Sequence, residues 1–310
     1  MLSSPAAETL VPAVLTQPAP APPLCLQRNS PLHWWHLLSL DAPTIAAAWG
    51  WLFARCFSVQ LPKFSLLTLA LGTWCVYVAD RLLDGWRPQP GAALRERHRF
   101  YARHRRIFFP ALLAALLPLA YCLAARVAAR VRWDDLLLAL IGLLYFALVH
   151  AGSWLGGSHR RTLLPKEFAV GVLFAIAVSV PTWAHWHGAT APLLLATSIF
   201  AALCCWNCVA IQTWEDAGVE NSASRSRVHP ASAWTGAHLL PAALGLAVLS
   251  GLFWITMTAS PLRWMALCCL LSALLFSLLQ RWHRSLHPRT LRVAVDLALL
   301  TPLLALVLAR

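Results

Sequence analysis

Residues 62–84, PKFSLLTLALGTWCVYVADRLLD, join an apolar run of membrane-spanning length to two carboxylates at its end. A transmembrane helix needs about 20 mostly apolar residues, and residues 62–82 supply them. Asp80 and Asp84 are four residues apart, so a helix places both carboxylates on one face. Because carboxylates are costly close to hydrocarbon, their position predicts a functional site at the end of a membrane span.

The composition of the whole chain agrees with a membrane protein. Of its 310 residues, 59% are hydrophobic and only 12% are charged, which excludes an ordinary soluble domain. The net charge of +13 comes mostly from arginine, and cytoplasmic loops of membrane proteins collect such residues. We therefore expect contact with membrane lipids and no nucleic-acid partner. The nine cysteines lie largely in apolar runs and predict no structural disulfide.

The hydrophobic pattern predicts an all-α, polytopic membrane protein with about nine transmembrane helices in a bundle around a central cavity. The predicted spans are 38–58, 62–82, 107–127, 134–152, 167–185, 190–212, 236–257, 262–280 and 291–309. Pro181 is expected to kink or end the fifth span. Residues 1–32 are rich in Ala and Pro and predict a disordered tail, so the membrane domain covers 33–310.

Loop charge predicts the orientation of these spans. With the N-terminus in the cytoplasm, the inner loops hold 17 Lys and Arg residues and the outer loops hold five. The prediction is a multi-pass protein of a bacterial inner membrane. Spans two and six then both end on the cytoplasmic side.

A second acidic pair follows the sixth span. Asp216 and Glu220 are again four residues apart, and Glu215 adds a third carboxylate. Facing carboxylate pairs suit Mg²⁺, which binds through a few oxygens together with substrate phosphates. We therefore expect Asp80, Asp84, Asp216 and Glu220 to converge as metal ligands and catalytic residues. The alternative is that each pair is solvated, or bonded to a nearby arginine such as Arg81.

Five further residues are candidates for binding the substrate. Arginine makes bidentate contacts to phosphate, and a polar side chain deep in a span needs a partner. The candidates are Arg81, Arg160, Arg161, Lys166 and Asn207. Lys166 has an alternative role in pairing with Glu167. Most of the basic cluster at 95–106, including Arg97, is assigned to membrane topology.

The layout resembles the UbiA superfamily of intramembrane prenyltransferases over about residues 38–309. The segment from Ala79 to Asp84 is similar to the first acidic motif of that family, with Ala79 at its Asn position and Pro88 at its third acidic position. Residues 216–220 are similar to the second acidic motif, with Glu220 in place of its last Asp. Residues 159–161 and Gly171 resemble a Lys-Arg pair and a following glycine, with Arg160 at the Lys position.

This resemblance implies a helical bundle that holds Mg²⁺ and a prenyl diphosphate near its cytoplasmic mouth. The implied reaction transfers the prenyl group to an aromatic or other lipophilic acceptor. Two alternatives stay open: a non-catalytic isoprenoid- or lipid-binding protein on the same fold, and a cation-coupled transporter. Transport would favour broken helices and polar residues near the membrane centre, whereas the acidic pairs are predicted at span ends.

Overall fold

The computed structural model describes residues 30–86, 96–126, 165–217, 229–257 and 260–308, and three single residues between 127 and 164. The regular elements of these residues are helices, as predicted. In chain order they are α1 Pro31–Leu37, α2 Asp41–Cys56, α3 Ser65–Trp86, α4 Glu96–Arg103, α5 Arg105–Tyr121 with a π-helical turn Cys122–Arg126, α6 Lys166–His185, α7 Thr190–Ala217, α8 Pro230–Ala237, α9 Leu239–Thr256, α10 Leu262–Trp282 with a 3₁₀ turn His283–Ser285, α11 Pro288–Ala298 and α12 Pro302–Leu308.

Six helices in the described ranges are long and apolar enough to cross a membrane. They match the second, third, fifth, sixth, seventh and eighth predicted spans. Their bounds are Ser65–Asp84, Arg105–Ala125, Lys166–His185, Thr190–Glu215, Leu239–Thr256 and Leu262–Ser285. These helices are compatible with an integral multi-pass membrane protein. The fourth predicted span lies outside the described residues, and the total of nine is not confirmed.

The first predicted span, 38–58, contains one helix, α2, which has only 16 residues. Helix α2 meets α1 at a bend of 90° at the start of that span, and only the two helices together would form a seventh membrane-length segment. The ninth segment is interrupted between α11 and α12, which corrects the prediction of one continuous helix. Pro302 begins α12 and lacks the N–H that a continuing helix needs, which accounts for the break. Pro181, in contrast, is accommodated inside α6, which continues to His185.

The core lies where α2, α6, α7, α9, α10 and α11 pack together. Trp206 stacks on Phe276 with ring centroids 4.3 Å apart, and the Trp49 indole donates to the Leu299 carbonyl at 2.7 Å. Large apolar side chains cover much of the outer surface; Leu117, for example, is 73% exposed. Burial of tryptophan inside and exposure of leucine outside are expected for a bundle whose solvent is lipid. The eight cysteines in the described ranges are free, as predicted.

Side-chain contacts bring several helix ends together at one end of the bundle. The Ser232 hydroxyl donates to Glu167 at 2.7 Å, which joins α8 to the start of α6. The Trp214 indole donates to Gln280 at 2.9 Å, which joins the ends of α7 and α10. Arg292 at the start of α11 pairs with Glu215 on α7. We call this region, defined by the three contacts, the polar end of the bundle.

Candidate functional site

A buried cluster of ionisable side chains lies among α1, α2 and α11. The His36 Nδ1 atom is 2.8 Å from Asp41 Oδ2 and 3.7 Å from Asp296 Oδ2. One ligand atom from each residue falls within 4.8 Å of the other two, and all three residues are buried. We call His36, Asp41 and Asp296 the triad. Such a grouping is able to hold a metal ion or to share protons.

The break between α1 and α2 builds half of the triad. Ser39 adopts a left-handed backbone with φ of 58°, which is unusual for a residue that is not glycine. The chain then turns so that His36, near the end of α1, faces Asp41 at the start of α2. The backbone N–H of Ala42 donates to Asp41 Oδ1 at 2.9 Å, which leaves Oδ2 directed to His36. Local backbone geometry therefore orients the carboxylate.

Arg81 reaches the triad from α3. It is 2% exposed, donates to the His36 carbonyl at 3.3 Å and to Ser39 Oγ, and lies 3.8 Å from Asp41 Oδ2. Its guanidinium carbon lies 5.8 Å from the ring centroids of both Tyr77 and Tyr101. The candidate substrate-binding residue Arg81 is thus held inside the protein by internal partners.

Asn207 approaches the triad from α7. Its Nδ2 atom donates to Asp296 Oδ1 at 3.2 Å, so the sequence prediction that Asn207 needs a partner is confirmed. Its Oδ1 atom is buried and has no hydrogen-bond partner in the described part of the chain. At 1.5 Å per residue, Asn207 lies about 12 Å deeper along α7 than Glu215. The triad is therefore set below the polar end, towards the middle of the bundle.

The surrounding charges act on the triad in opposite directions. The buried Asp41 and Asp296 carboxylates repel each other. The Arg81 and Arg97 charges instead attract the Asp296 carboxylate. Arg97 was assigned to topology from the sequence, yet it lies close enough to influence both Asp296 and His36. The cluster at 95–106 therefore contributes to the electrostatics of this site.

The predicted acidic pairs are only partly described. Asp80 and Asp84 are half-buried near the end of α3, and Asp84 Oδ2 lies 3.6 Å from His98 Nδ1. Asp216 belongs to α7, but its side chain lies outside the described residues. Glu220, Arg160 and Arg161 lie outside them entirely. The convergence of the four carboxylates stays a prediction.

The remaining candidates occupy the polar end. Lys166 is the first residue of α6 and is exposed. Its neighbour Glu167 accepts the hydrogen bond from Ser232. Glu215, the third carboxylate of the second acidic segment, is paired with Arg292. Lys166 keeps its assignment as a candidate, whereas Glu215 serves to join α7 to α11.

The sequence predictions did not include His36, Asp41 or Asp296. A signal was present for Asp296, because it is a single acid within the predicted ninth span, where ionisable residues are rare. Asp41 similarly begins the apolar part of the first span. The same argument that selected Asp80 applies to both. The grouping of Asp296 with the other two had no local signal, since Asp296 lies 255 positions from Asp41 and 260 from His36 along the chain.

An incompletely covered interior surface lies beside the triad. Tyr77 on α3 and Cys208 on α7 are each only half-buried by the described residues. Tyr77 lies within electrostatic range of Cys208, Asp41 and Asp296. Two open grooves lie away from the triad, near the far ends of α2 and α6. One, of about 350 Å³, is lined by residues between 51 and 66, and the other, of about 470 Å³, by residues 57–60 and 185–188. The predicted central cavity stays a prediction.

Comparison with known proteins yields no relative. No protein-family model matches the chain, no curated protein matches it, and no solved structure matches its fold.

Proposed function

We propose that this protein is a membrane-embedded, Mg²⁺-dependent transferase that moves a prenyl group from its diphosphate to a lipophilic acceptor. The observation that carries the proposal is the position of Asp80 and Asp84. They end a helix of membrane-spanning length, next to Arg81 and its buried acidic partner Asp41. The resemblance of this segment to the acidic motif of the UbiA superfamily supports the same reading.

The chemistry of the donors fits Mg²⁺. Carboxylate oxygens are its preferred protein ligands, and Asp80 and Asp84 present two carboxylates on one helix face. Asp216 and Glu220 would complete the set from the end of α7. When bound there, Mg²⁺ supplies positive charge to the departing diphosphate. Because Pro88 stands where the resemblance has a third acid, the second acidic pair, Asp216 and Glu220, would have a larger share in binding Mg²⁺.

The basic residues near the acidic pair supply further counter-charge. Arg97 is half-buried, and its charge reaches the triad; His98 lies beside Asp84. Lys166 stands exposed at the start of α6. These three residues would bind and orient a diphosphate that arrives from the polar end, with Arg160 and Arg161 joining them. Arg81 instead holds α3 to the α1–α2 break, because its hydrogen bonds are internal.

The lipophilic parts of the substrates require an apolar environment that excludes water. The helices α3 and α7 are apolar along most of their length and long enough to cross a membrane. Tyr77 on α3 and Cys208 on α7 are half-buried by the described residues. We place the part of the isoprenoid chain nearest the reacting carbon on this surface between the two helices. Excluding water there protects an allylic cation from hydrolysis.

The decisive test supplies purified full-length protein with radiolabelled prenyl diphosphates, Mg²⁺ and a lipid extract, and measures labelled lipid product. Asp84→Asn is expected to lower turnover at least about 100-fold, because it removes an interaction with the charge-neutralising ion. Glu167→Gln is the matched control, since Glu167 lies at the polar end but only accepts a hydrogen bond from Ser232. Equal turnover in wild type and Asp84→Asn would reject the catalytic assignment. Retained isoprenoid binding with no turnover would favour the non-catalytic alternative.

The break between α1 and α2 favours cation-coupled transport as a second candidate function. Broken helices with ionisable residues are typical of coupling sites in secondary transporters, and this break places His36 and Asp41 together in the interior. Proteoliposomes would be loaded with a pH-sensitive dye and given a prenyl alcohol or lipid extract on the outside. Proton or cation movement that depends on added substrate, with no labelled product in the transfer assay, would select transport.

A further inference from the structure

We propose that the triad of His36, Asp41 and Asp296, together with the Asn207 side-chain oxygen, is a binding site for one first-row divalent transition-metal ion. This site is separate from the Mg²⁺ site assigned to Asp80 and Asp84. It does not depend on whether the protein transfers prenyl groups.

The spacing of the donor atoms supports an ion among them. Two ligands bound at about 2.1 Å lie about 3.0–3.4 Å apart at coordination angles near 90–110°. The distances from His36 Nδ1 to Asp41 Oδ2 and Asp296 Oδ2, 2.8 and 3.7 Å, lie just on either side of that range. The three donor atoms all lie within 4.8 Å of one another, so small rotations of the carboxylates close the site around an ion.

Asn207 provides an independent indication of a ligand. The residue is 8% exposed, and its Nδ2 atom is fixed by the hydrogen bond to Asp296 Oδ1. That bond places the amide at the edge of the triad, while Oδ1 is buried without a partner in the described ranges. An unpaired buried carbonyl oxygen costs about 1–3 kcal/mol, and coordination to a cation would remove this cost. This oxygen is the proposed fourth donor, from a fourth helix.

The charges of the site agree with a bound cation. The carboxylates of Asp41 and Asp296 are both buried and offer oxygens within 4.8 Å of each other, so their mutual repulsion favours a cation between them. Arg81 lies 3.8 Å from Asp41 Oδ2 and acts as an outer partner of a ligand, as is common around metal sites. Two carboxylates, one guanidinium and one divalent ion leave a net charge of about +1. A loaded site would therefore also attract an anionic group.

The donor set indicates the class of metal. One imidazole nitrogen with two carboxylates and an amide oxygen is a mixed set that suits Mn²⁺, Fe²⁺ or Zn²⁺. Magnesium and calcium prefer oxygen ligands alone, so they are expected to bind this triad more weakly than Mn²⁺. The preference separates the triad from the purely carboxylate pair of Asp80 and Asp84.

The experiment measures Mn²⁺ and Zn²⁺ binding to full-length protein in detergent after chelator treatment, with no prenyl diphosphate present. Wild type is expected to bind about one Mn²⁺ per chain at this site, detected by loss of the free-ion EPR signal, and excess Mg²⁺ is expected not to displace it. His36→Gln and Asp296→Asn should weaken binding at least about tenfold. His33→Gln is the matched control, because His33 is a buried histidine of the same helix outside the triad.

A measurement on wild type guards against variants that fail to fold. Pulsed EPR of bound Mn²⁺ is expected to show coupling to a directly bound imidazole nitrogen. Absence of that coupling, or unchanged Mn²⁺ affinity in folded His36→Gln and Asp296→Asn proteins, would overturn the proposal and leave the triad as a hydrogen-bonded network. Asp84→Asn is expected to retain Mn²⁺ at the triad. Loss of transfer activity in that variant can therefore be distinguished from loss of metal binding by the triad.

Discussion

At the scale of single residues, Arg81 holds three segments together from inside the protein. Its guanidinium bonds to His36 and Ser39 and neutralises Asp41, while two tyrosine rings cover its faces. Burial raises the pKa of Tyr101, which stays a neutral phenol that hydrogen-bonds Ser39 at 2.7 Å. Arg81, which follows Asp80 in the acidic segment, thus stabilises the fold and is not exposed for contact with a ligand.

Replacing Arg81 should therefore be costly. Arg81→Leu is expected to lower the free energy of unfolding by about 3–5 kcal/mol, because it leaves the buried Asp41 charge without its partner. Arg81→Lys should lower the free energy of unfolding by less than Arg81→Leu, since lysine keeps the positive charge but lacks the planar guanidinium group. Thermal unfolding in detergent measures both. Arg99→Ala, at an exposed position of α4, should change the free energy of unfolding by no more than about 0.5 kcal/mol. Equal losses of stability in Arg81→Leu and Arg99→Ala would contradict the structural role of Arg81.

The residues of the candidate site differ in how far the sequence could reveal them. Asp80 and Asp84 were found because charge at the end of an apolar run is visible in one segment of sequence. Asn207 was found because a polar side chain deep within an apolar run is visible in the same way, and its need for a partner was expected. The identity of that partner was not, because Asp296 lies 89 positions away and only the packing of α7 against α11 joins them.

At the scale of helices, α6 and α7 approach closely where they cross at Gly171. A Cβ atom added there would lie 2.6 Å from the backbone nitrogen of Cys205 and 2.8 Å from its Cα. Backbone atoms of a helix cannot move aside as a side-chain end can. The resemblance described from the sequence singled out Gly171, and the structure gives it a packing role that its position in the sequence did not show.

Gly171→Ala should therefore separate α6 from α7. We expect a loss of about 1–3 kcal/mol in unfolding free energy, since the new methyl group overpacks the crossing. Gly245→Ala is the control, because no neighbouring atom of the described residues lies within 4 Å of its added Cβ, and alanine favours the helix by up to about 1 kcal/mol. The midpoint of thermal unfolding compares the two. A stable Gly171→Ala protein would show that the crossing is looser than these distances indicate.

Helix number was harder to predict than helix type. Hydrophobicity alone identified six membrane-length helices, because composition and length are local properties. It did not reveal that a bend of 90° separates α2 from α1 or that the ninth predicted span is interrupted before Pro302. The first break depends on buried polar partners, such as the hydrogen bond between Ser39 and Tyr101, that stabilise a non-helical backbone, whereas Pro302 accounts for the second. Those partners are distant in sequence.

At the scale of the whole molecule, the contacts assign helix ends to one side or the other. Glu167, Glu215 and Gln280 meet partners at the polar end. Residues 57–60 and 185–188 lie together around one groove at the opposite ends of α2 and α6. The alternation of these ends agrees with the order of the predicted spans. Loop charge adds the expectation that the polar end faces the cytoplasm.

Cysteine labelling of intact cells tests that orientation. Arg284 follows α10 at the polar end and is exposed, whereas Lys63 is exposed just before α3, about 30 Å along that helix from Asp84. An impermeant maleimide should label Lys63→Cys in intact cells and Arg284→Cys only after lysis. Native background should be low among the described cysteines, because seven of those eight are buried. Labelling of Arg284→Cys from outside, with Lys63→Cys protected, would invert the molecule in the membrane and place the proposed diphosphate site on the outer face.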